Sequence, residues 1–254
     1  MPDRLANVIP GAEPTTFDGG PVGVLVLHGF TGNPGSVRGL AERLAAEGFT
    51  VDLPLLPGHG TVVEDLIETG WADWSAHAEA RYAVLAARCE QVVVMGLSMG
   101  GALAAWLGSE HAEIAGLVCI NPVVSVPAGM REAVEQVLAS GADRFAGIGS
   151  DIAEPGMVET AYSDTPLAPL LTMFDAADNL GDRLERITSP LLVVTSRQDH
   201  VVPPENSDLL AAAVSGPVER LWCERSYHVV TQDYDREIVF EAAVGFAQKV
   251  TAGA

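Results

Sequence analysis

The sequence predicts an α/β fold with a mostly parallel sheet and helices on both faces. Short runs of valine, leucine and isoleucine recur along the chain and alternate with stretches of helical spacing. Such apolar runs are typical of strands buried on both faces, and their alternation with helices is typical of a parallel sheet. Of the 254 residues, 48% are hydrophobic and 19% are charged, which excludes a disordered chain. We expect a single domain over residues 1–254.

The strands and helices are read from these patterns in chain order. Strands are predicted at 22–27, 49–56, 91–95, 114–120 and 190–196, with a further strand-like stretch at 218–222. Helices are predicted at 36–48, 71–88, 205–214 and 235–249, and one more directly after residue 98. Ser36 can cap the start of the first helix, and Gly48 can close its end.

One interval interrupts the alternation of strands and helices. Some sixty-five residues separate Asn121 from Ile187, although a simple crossover needs only one helix. The interval contains prolines, glycines and scattered apolar residues. We therefore predict an inserted cap at about 121–187, without strands of its own.

The stretch GLSMGG at 96–101 follows a predicted strand and precedes an apolar helix. Gly-x-Ser-x-Gly at such a turn is typical of a nucleophile elbow, because the glycines remove side chains that would collide in a sharp turn. The turn leaves the hydroxyl of Ser98 exposed at the end of the sheet. The start of the helix aims free N–H groups at the same point. Ser98 is therefore the candidate nucleophile of an acyl-transfer site.

A serine nucleophile needs a histidine base, and the base needs an acid that holds its tautomer. His111, His200 and His228 follow Ser98, and His111 lies too close to the elbow helix to return above the sheet. His228 follows a strand-like stretch, and the order Ser98, Asp199, His228 is the order of hydrolases built on this elbow. His228 is therefore the predicted base and Asp199 the predicted acid.

Other residues compete for these two roles. His200 as the base would need an earlier acid such as Asp178 or Asp182, so we interpret it as a loop residue near the site. Asp233 and Asp235 follow the histidine and precede the last helix, where we expect them to cap that helix.

The oxyanion of a tetrahedral intermediate needs two preorganised donors. The sequence predicts the backbone N–H groups of Met99, directly after the nucleophile, and of Phe30, in the HGFTG loop after the first strand. His28 in the same loop and His59 in the turn PGHG are expected to serve as loop and turn residues.

The charge of the chain limits its partners. Acidic residues outnumber basic ones by 34 to 14, a formal net charge of −20, which argues against nucleic acid as a partner. No apolar run is long enough to span a bilayer, and the first residues lack the order of a signal peptide, so we expect a cytoplasmic protein. The sequence leaves the oligomeric state open.

Seven stretches together resemble a known family. They are VLVLHGFTGNP, LPGHG, GLSMGG, INP, IGSD, DHVVPP and SYHVVTQDYD. In order and spacing they are similar to the bacterial monoacylglycerol lipases of the α/β-hydrolase superfamily, with related bacterial carboxylesterases close behind. The resemblance runs from about Gly11 to the last helix.

The resemblance implies the α/β-hydrolase fold and release of fatty acid and glycerol from monoacylglycerols, without metal or cofactor. It places the nucleophile, acid, base and oxyanion donors on the residues predicted above. It also implies a cap over an apolar acyl tunnel, with Ile148 lining the tunnel and Glu159 contacting glycerol. We further expect the cap to make transient contact with lipid aggregates or a membrane surface.

Two other functions remain open. A general carboxylesterase for short- to medium-chain esters would share every catalytic residue, because chain length is set by the cap. A ligand-binding protein that keeps the fold without the chemistry is the other alternative. The intact serine, acid and histidine argue against it.

Overall fold

The computed structural model describes residues 7–147 and 149–252. Its strands are β1 (Thr15–Phe17), β2 (Val22–Leu27), β3 (Thr50–Leu53), β4 (Gln91–Leu97), β5 (Gly116–Ile120), β6 (Arg144–Ala146), β7 (Asp164–Pro166), β8 (Leu191–Ser196) and β9 (Val218–Cys223). Its helices are α1 (Arg38–Ala46), α2 (Val63–Ile67), α3 (Trp71–Ala86), α4 (Met99–Glu110), α5 (Met130–Ala139), α6 (Leu167–Gly181), α7 (Glu205–Ala213) and α8 (Arg236–Val250).

Within the described residues, the central sheet has seven strands in the order β1-β3-β2-β4-β5-β8-β9. All neighbouring strands pair in parallel except β1, which pairs antiparallel with β3 at one edge. The central strands β2, β4, β5 and β8 are buried almost throughout, as their apolar runs predict. The predicted mostly parallel α/β sheet is therefore confirmed, with β1 as an edge strand that the sequence pattern did not reveal.

Two apolar layers cover the sheet. One contains the buried faces of α1 and α8, and the other contains those of α3, α4 and α6. Burial of apolar side chains on both faces is the main stabilising contribution to such a fold. Among the described residues, no helix is both long and apolar enough to cross a membrane.

The start of α1 differs from the prediction. A 3₁₀ turn at Pro34–Val37 precedes the helix, and the side chain of Asn33 caps that turn by accepting the backbone N–H of Gly35 at 2.8 Å. Ser36 is buried inside the turn and is not the cap. The end of α1 is as predicted, because Gly48 has a φ of 91°. This is the left-handed conformation that suits glycine after a helix.

The chain between β5 and β8, residues 121–190, is called the insertion below. It contains α5, β6, β7 and α6. β6 and β7 pair antiparallel in a small separate sheet, so the expectation that this interval has no strands of its own is wrong. Each of these strands has only three residues, which is too short for an alternating pattern to stand out.

Candidate active site

The turn between β4 and α4 presents Ser98 with an unusual backbone. Its φ is 57° and its ψ is −117°, a strained conformation for a residue with a side chain. A Cβ on Gly96 would lie 2.0 Å from the carbonyl oxygen of Gly100, and a Cβ on Gly100 would lie 2.2 Å from that of Leu27. Both glycines are therefore required for the turn.

A histidine and a carboxylate meet at the carboxyl ends of β8 and β9, and the histidine lines the same cavity as this serine. Nδ1 of His228 lies 2.7 Å from Oδ2 of Asp199. The other oxygen of Asp199 accepts the backbone N–H groups of Val201 and Val202, each at 2.8 Å. A carboxylate can only accept here, so it holds the imidazole proton on Nδ1 and leaves Nε2 free to act as a base.

Two opposing influences act on the imidazole of His228. Burial lowers its pKa, whereas the hydrogen bond and charge of Asp199 raise it, with smaller contributions from the carboxylates of Glu159 and Asp151. The net result is a pKa above the ordinary value for histidine. The surrounding carboxylates thus favour the imidazolium that forms when the histidine accepts a proton.

The loop after β2 packs directly against the serine. A Cβ on Gly29 would lie 3.3 Å from the Cβ of Ser98, and the next residue, Phe30, lines the same cavity as Ser98. Met99 is the first residue of α4, where a backbone N–H has no partner within the helix. The two predicted oxyanion donors therefore belong to the start of the helix after the serine and to the loop that packs against it.

The cavity above Ser98 has a volume of about 210 Å³. His228 also lines it, and much of its wall is apolar and comes from the insertion. Those apolar side chains include Val126, Met130, Phe145, Leu170, Met173 and Phe174. A larger cleft of about 560 Å³ lies beside β3 and α3, and none of the predicted catalytic residues lines it.

Glu159 also reaches the cavity, where it lies partly buried and accepts the hydroxyl of Ser36 at 2.5 Å. Burial raises the pKa of this carboxyl, although the hydrogen bond from Ser36 and the charge of His228 lower it. The other predicted cap residue, Ile148, lies outside the described residues.

The residues after Glu159 bind the loop that carries Phe30. The backbone N–H of Tyr162 donates to the carbonyl of Thr31 at 3.0 Å, and the side chain of Asn33 donates to the carbonyl of Thr160. Thr31 has a φ of 62°, which is strained for a β-branched residue. These contacts hold the strained loop in place.

His28, His59 and His200 occupy loops, as expected. Burial lowers the pKa of His28 well below its ordinary value, and its Nε2 accepts the backbone N–H of Leu56 at 3.1 Å. Burial lowers the pKa of His59 to about 4, and its ring packs edge-on against His28 at 5.0 Å between ring centroids. His200 is half-exposed next to Asp199.

The interpretation of Asp233 and Asp235 as helix caps is wrong. Asp235 precedes α8, but its side chain makes no capping bond to that helix. It accepts the backbone N–H groups of Arg225 and Ser226, at 2.9 and 3.0 Å. Asp233 accepts that of Tyr227 at 2.8 Å. Both carboxylates instead fix the loop that carries His228, whose N–H groups would otherwise be unsatisfied.

Asn121 is a further residue that sequence reasoning missed. It follows β5 with a φ of 43°, and its amide donates to the carbonyl of His228 at 2.7 Å while accepting the N–H of Ser196 at 2.8 Å. Its position in the INP stretch, directly after a buried strand, is the signal that could have found it.

The sequence of this chain matches a known protein family. The model of the alpha/beta hydrolase family matches residues 24–242, most of the chain. This chain belongs to that family. The parallel sheet and the serine turn of this alpha/beta hydrolase agree with the fold that the sequence predicts.

Relatives of this alpha/beta hydrolase include enzymes that act on esters. It is 42% identical to a thermostable monoacylglycerol lipase of Bacillus sp. strain H-257, over 95% of this chain and 96% of that one. It is 32% identical to a carboxylesterase of Bacillus subtilis strain 168, over 94% and 97%.

Two solved structures are similar in fold to this chain. A structure from work on LipS and LipT, two metagenome-derived lipolytic enzymes, superposes with a TM-score of 0.92 at 39% identity, covering 95% of this chain and 99% of that one. A monoacylglycerol lipase of Paleococcus ferrophilus gives 0.77 at 18% identity over 94% and 98%, a similarity of fold alone.

Proposed function

We propose that this alpha/beta hydrolase cleaves monoacylglycerols to fatty acid and glycerol through an acyl-enzyme on Ser98. His228 takes the proton of the Ser98 hydroxyl as its oxygen attacks the ester carbonyl carbon. The same imidazolium then protonates the departing glycerol oxygen as the ester bond breaks. His228 then takes a proton from water as the water oxygen attacks the acyl carbonyl carbon. It returns a proton to the oxygen of Ser98 as the fatty acid leaves.

The observation that carries the chemistry is that His228, joined to Asp199 at 2.7 Å, lines one cavity together with Ser98. In the proposed mechanism, the N–H groups of Phe30 and Met99 stabilise the oxyanion. Loss of one such donor typically costs about 10² to 10³ in rate. Asp199 holds the tautomer and balances the charge of the imidazolium.

The choice of monoacylglycerol rests on the relative at 42% identity and on the cavity. We propose that the insertion is a cap whose apolar side chains enclose a single acyl chain. The cavity of about 210 Å³ is small, below the range of about 300–1,000 Å³ typical of drug-sized ligand sites. Such a space suits one acyl chain better than two or three. Glu159, beside the catalytic groups, is the candidate contact for the glycerol hydroxyls.

The outer surface of the insertion supports contact with lipid aggregates. Met157 and Val158 are 41% and 74% exposed. Met130 and Phe145 line the cavity and are also exposed to solvent. With a net charge of −20, the protein gains no electrostatic attraction from anionic lipid. We therefore propose that the insertion meets lipid surfaces through apolar contact.

Substitution of the nucleophile tests the proposed chemistry. Ser98→Ala should remove turnover of monolauroyl glycerol and reaction with a fluorophosphonate probe, while the thermal unfolding of the protein stays close to that of the wild type. Ser109→Ala, a change on the same helix away from the cavity, is the matched control. Residual turnover or labelling in Ser98→Ala would contradict the assignment, and a wild type that reacts with neither would favour a non-catalytic ligand-binding role.

A general carboxylesterase is the second candidate, favoured by the relative at 32% identity. The two functions share their chemistry and differ in the acyl chain. Turnover of monolauroyl glycerol should exceed that of a short p-nitrophenyl ester if the cavity selects long chains, and di- and triacylglycerols should be poor substrates. A preference for the short ester with no gain along a chain-length series would assign the enzyme to the carboxylesterases.

A further inference from the structure

Asp151 lies in the insertion, yet its carboxylate contacts the two loops that carry the proposed acid and base. It is buried, with 9% of its surface exposed. Its Oδ2 accepts the backbone N–H of His200, the neighbour of Asp199, at 3.2 Å. The same oxygen accepts the backbone N–H of His228 at 3.0 Å. One carboxylate oxygen of Asp151 therefore connects the backbone of His200, directly after Asp199, to the backbone of His228.

Two further contacts strengthen this connection. Oδ1 of Asp151 lies 2.8 Å from Nδ1 of His200, and its backbone carbonyl accepts the N–H of Val229 at 3.1 Å. The ring of His200 also packs edge-on against Tyr227, with 4.4 Å between ring centroids. Asp151 thus contacts His200, which follows the proposed acid, and also His228 and Val229 in the loop of the proposed base.

Elsewhere the two loops are joined near the strand ends. The side chain of Gln198 donates to the carbonyl of Glu224 at 2.7 Å, and the backbone N–H of Arg197 donates to the carbonyl of Cys223 at 3.0 Å. These bonds fix the bases of the loops. Asn121 connects the carbonyl of His228 to the end of β8. At the tips, His228 contacts Asp199 directly, and Asp151 joins the backbone N–H groups of His200 and His228.

We propose that Asp151 is a positioning residue that holds the Asp199 loop and the His228 loop in register, so that the insertion contributes to the catalytic geometry as well as to the wall of the cavity. This inference rests on the proposed function, because it assigns Asp151 a role in ester hydrolysis through His228. Its contact is with the backbone of His228, so it acts on the placement of the ring.

The charge of Asp151 provides a second means of testing this role. Burial lowers the pKa of His228, and Asp199, Glu159 and Asp151 raise it, with Asp199 contributing most of the increase. A base acts only when unprotonated, so activity falls as the pH drops through this pKa. Removal of the Asp151 charge should therefore move the acidic limb of the kcat/KM profile to lower pH.

The two variants Asp151→Ala and Asp151→Asn separate placement from charge. Alanine removes every side-chain contact, whereas asparagine keeps an oxygen that can accept the two backbone N–H groups. We expect Asp151→Ala to lose about 10²-fold in kcat for p-nitrophenyl butyrate with KM changed less than about threefold, as for a misplaced catalytic group. Asparagine should recover kcat to within about tenfold and show the shifted acidic limb.

The experiment uses the full chain and measures three quantities for each variant. They are kcat and KM across pH, the rate of fluorophosphonate labelling of Ser98, and the temperature of unfolding. Labelling should slow in parallel with kcat, because both depend on activation of the same hydroxyl. Asp175→Ala removes an exposed carboxylate of α6 that pairs with Arg131 and serves as the matched control, with expected activity equal to that of the wild type.

Several results would overturn the inference. They are unchanged kcat in Asp151→Ala, a loss confined to KM, or an Asp151→Asn profile that superimposes on that of the wild type. Failure of both variants to fold would assign Asp151 to global stability and would also overturn it. A wild type without ester turnover or labelling would instead contradict the proposed function, so the two failures can be distinguished.

Discussion

The floor and the roof of the cavity are built differently. The floor consists of loops at the carboxyl ends of parallel strands, where Ser98 and Thr31 both have positive φ and are held by backbone hydrogen bonds. The roof is the insertion, which contains short strands, two helices and apolar side chains exposed to solvent. The floor has little freedom to change, whereas the side chains of the roof that face the cavity or the solvent can vary more freely than those that pack on the sheet.

This difference separates two parts of the proposed function. The chemistry depends on groups fixed to a few tenths of an ångström by the backbone. The choice of acyl chain depends on the shape and apolar area of the wall above them. Substitutions in the floor should therefore change the rate for every ester, and substitutions in the roof should change the relative rates for different esters.

The largest effect is expected from Asp199→Asn in the floor. The amide can donate to Nδ1 of His228 and so favour the wrong tautomer, which costs about 10⁴-fold in kcat in enzymes with this arrangement. Steady-state kinetics with monolauroyl glycerol and with a short ester should show the same loss. Asp178→Asn, which removes an exposed carboxylate that pairs with Arg131, is the control. A loss seen with only one ester would contradict the division between floor and roof.

Gly96→Ala tests whether the floor tolerates any added atom. Because the new Cβ would lie 2.0 Å from the carbonyl oxygen of Gly100, we expect a loss of about 3 kcal/mol in the free energy of unfolding, measured by denaturant titration. Gly245→Ala is the matched control. That exposed glycine of α8 has no atom within 4 Å of an added Cβ, so alanine should stabilise by about 0.5–1 kcal/mol. Equal effects at both positions would show that the turn is not constrained.

A larger side chain in the roof should change selectivity. Leu170→Trp reduces the space above Ser98, and loss of contact for two methylenes at about 0.8 kcal/mol each lowers kcat/KM for monolauroyl glycerol by about tenfold. A butyrate ester should lose less than about twofold. Leu209→Trp, at an exposed position of α7, is the control. Equal losses for both esters would place the acyl chain outside this part of the cavity.

The smallest expected effect is a shift in pH dependence from Glu159→Gln. The charge of Glu159 is one of those that raise the pKa of His228, so its removal lowers that pKa. The unprotonated base then persists to lower pH, and the acidic limb of kcat/KM should move downward. Glu135→Gln on the exposed side of α5 is the control. A limb that moves to higher pH would contradict the electrostatic role of Glu159.

Much of the floor could be predicted because its constraints are local. Buried strands require continuous apolar runs, and the serine turn requires glycines at two positions, so both are visible in the sequence. Two of the residues that fix the His228 loop, Asp151 and Asn121, were missed, since they contact it across 77 and 107 positions of the chain. Such contacts are produced by the tertiary fold, and the position of Asn121 directly after a buried strand was the one local signal for them.

The roof was the least predictable region for a related reason. Its strands have three residues each, and its apolar side chains serve the cavity and the solvent face as well as the core. Without a regular periodicity, only the excess length of the interval indicated an insertion.

The two carboxylates in the cavity wall, Asp151 and Glu159, distinguish the substrate from one of its products. A monoacylglycerol is uncharged, so these groups do not repel it. Hydrolysis turns the ester into a fatty-acid anion in the same space, where like charges repel in surroundings of low polarity. We therefore expect the cavity to bind the uncharged ester more readily than the fatty-acid anion, which would favour release of this product.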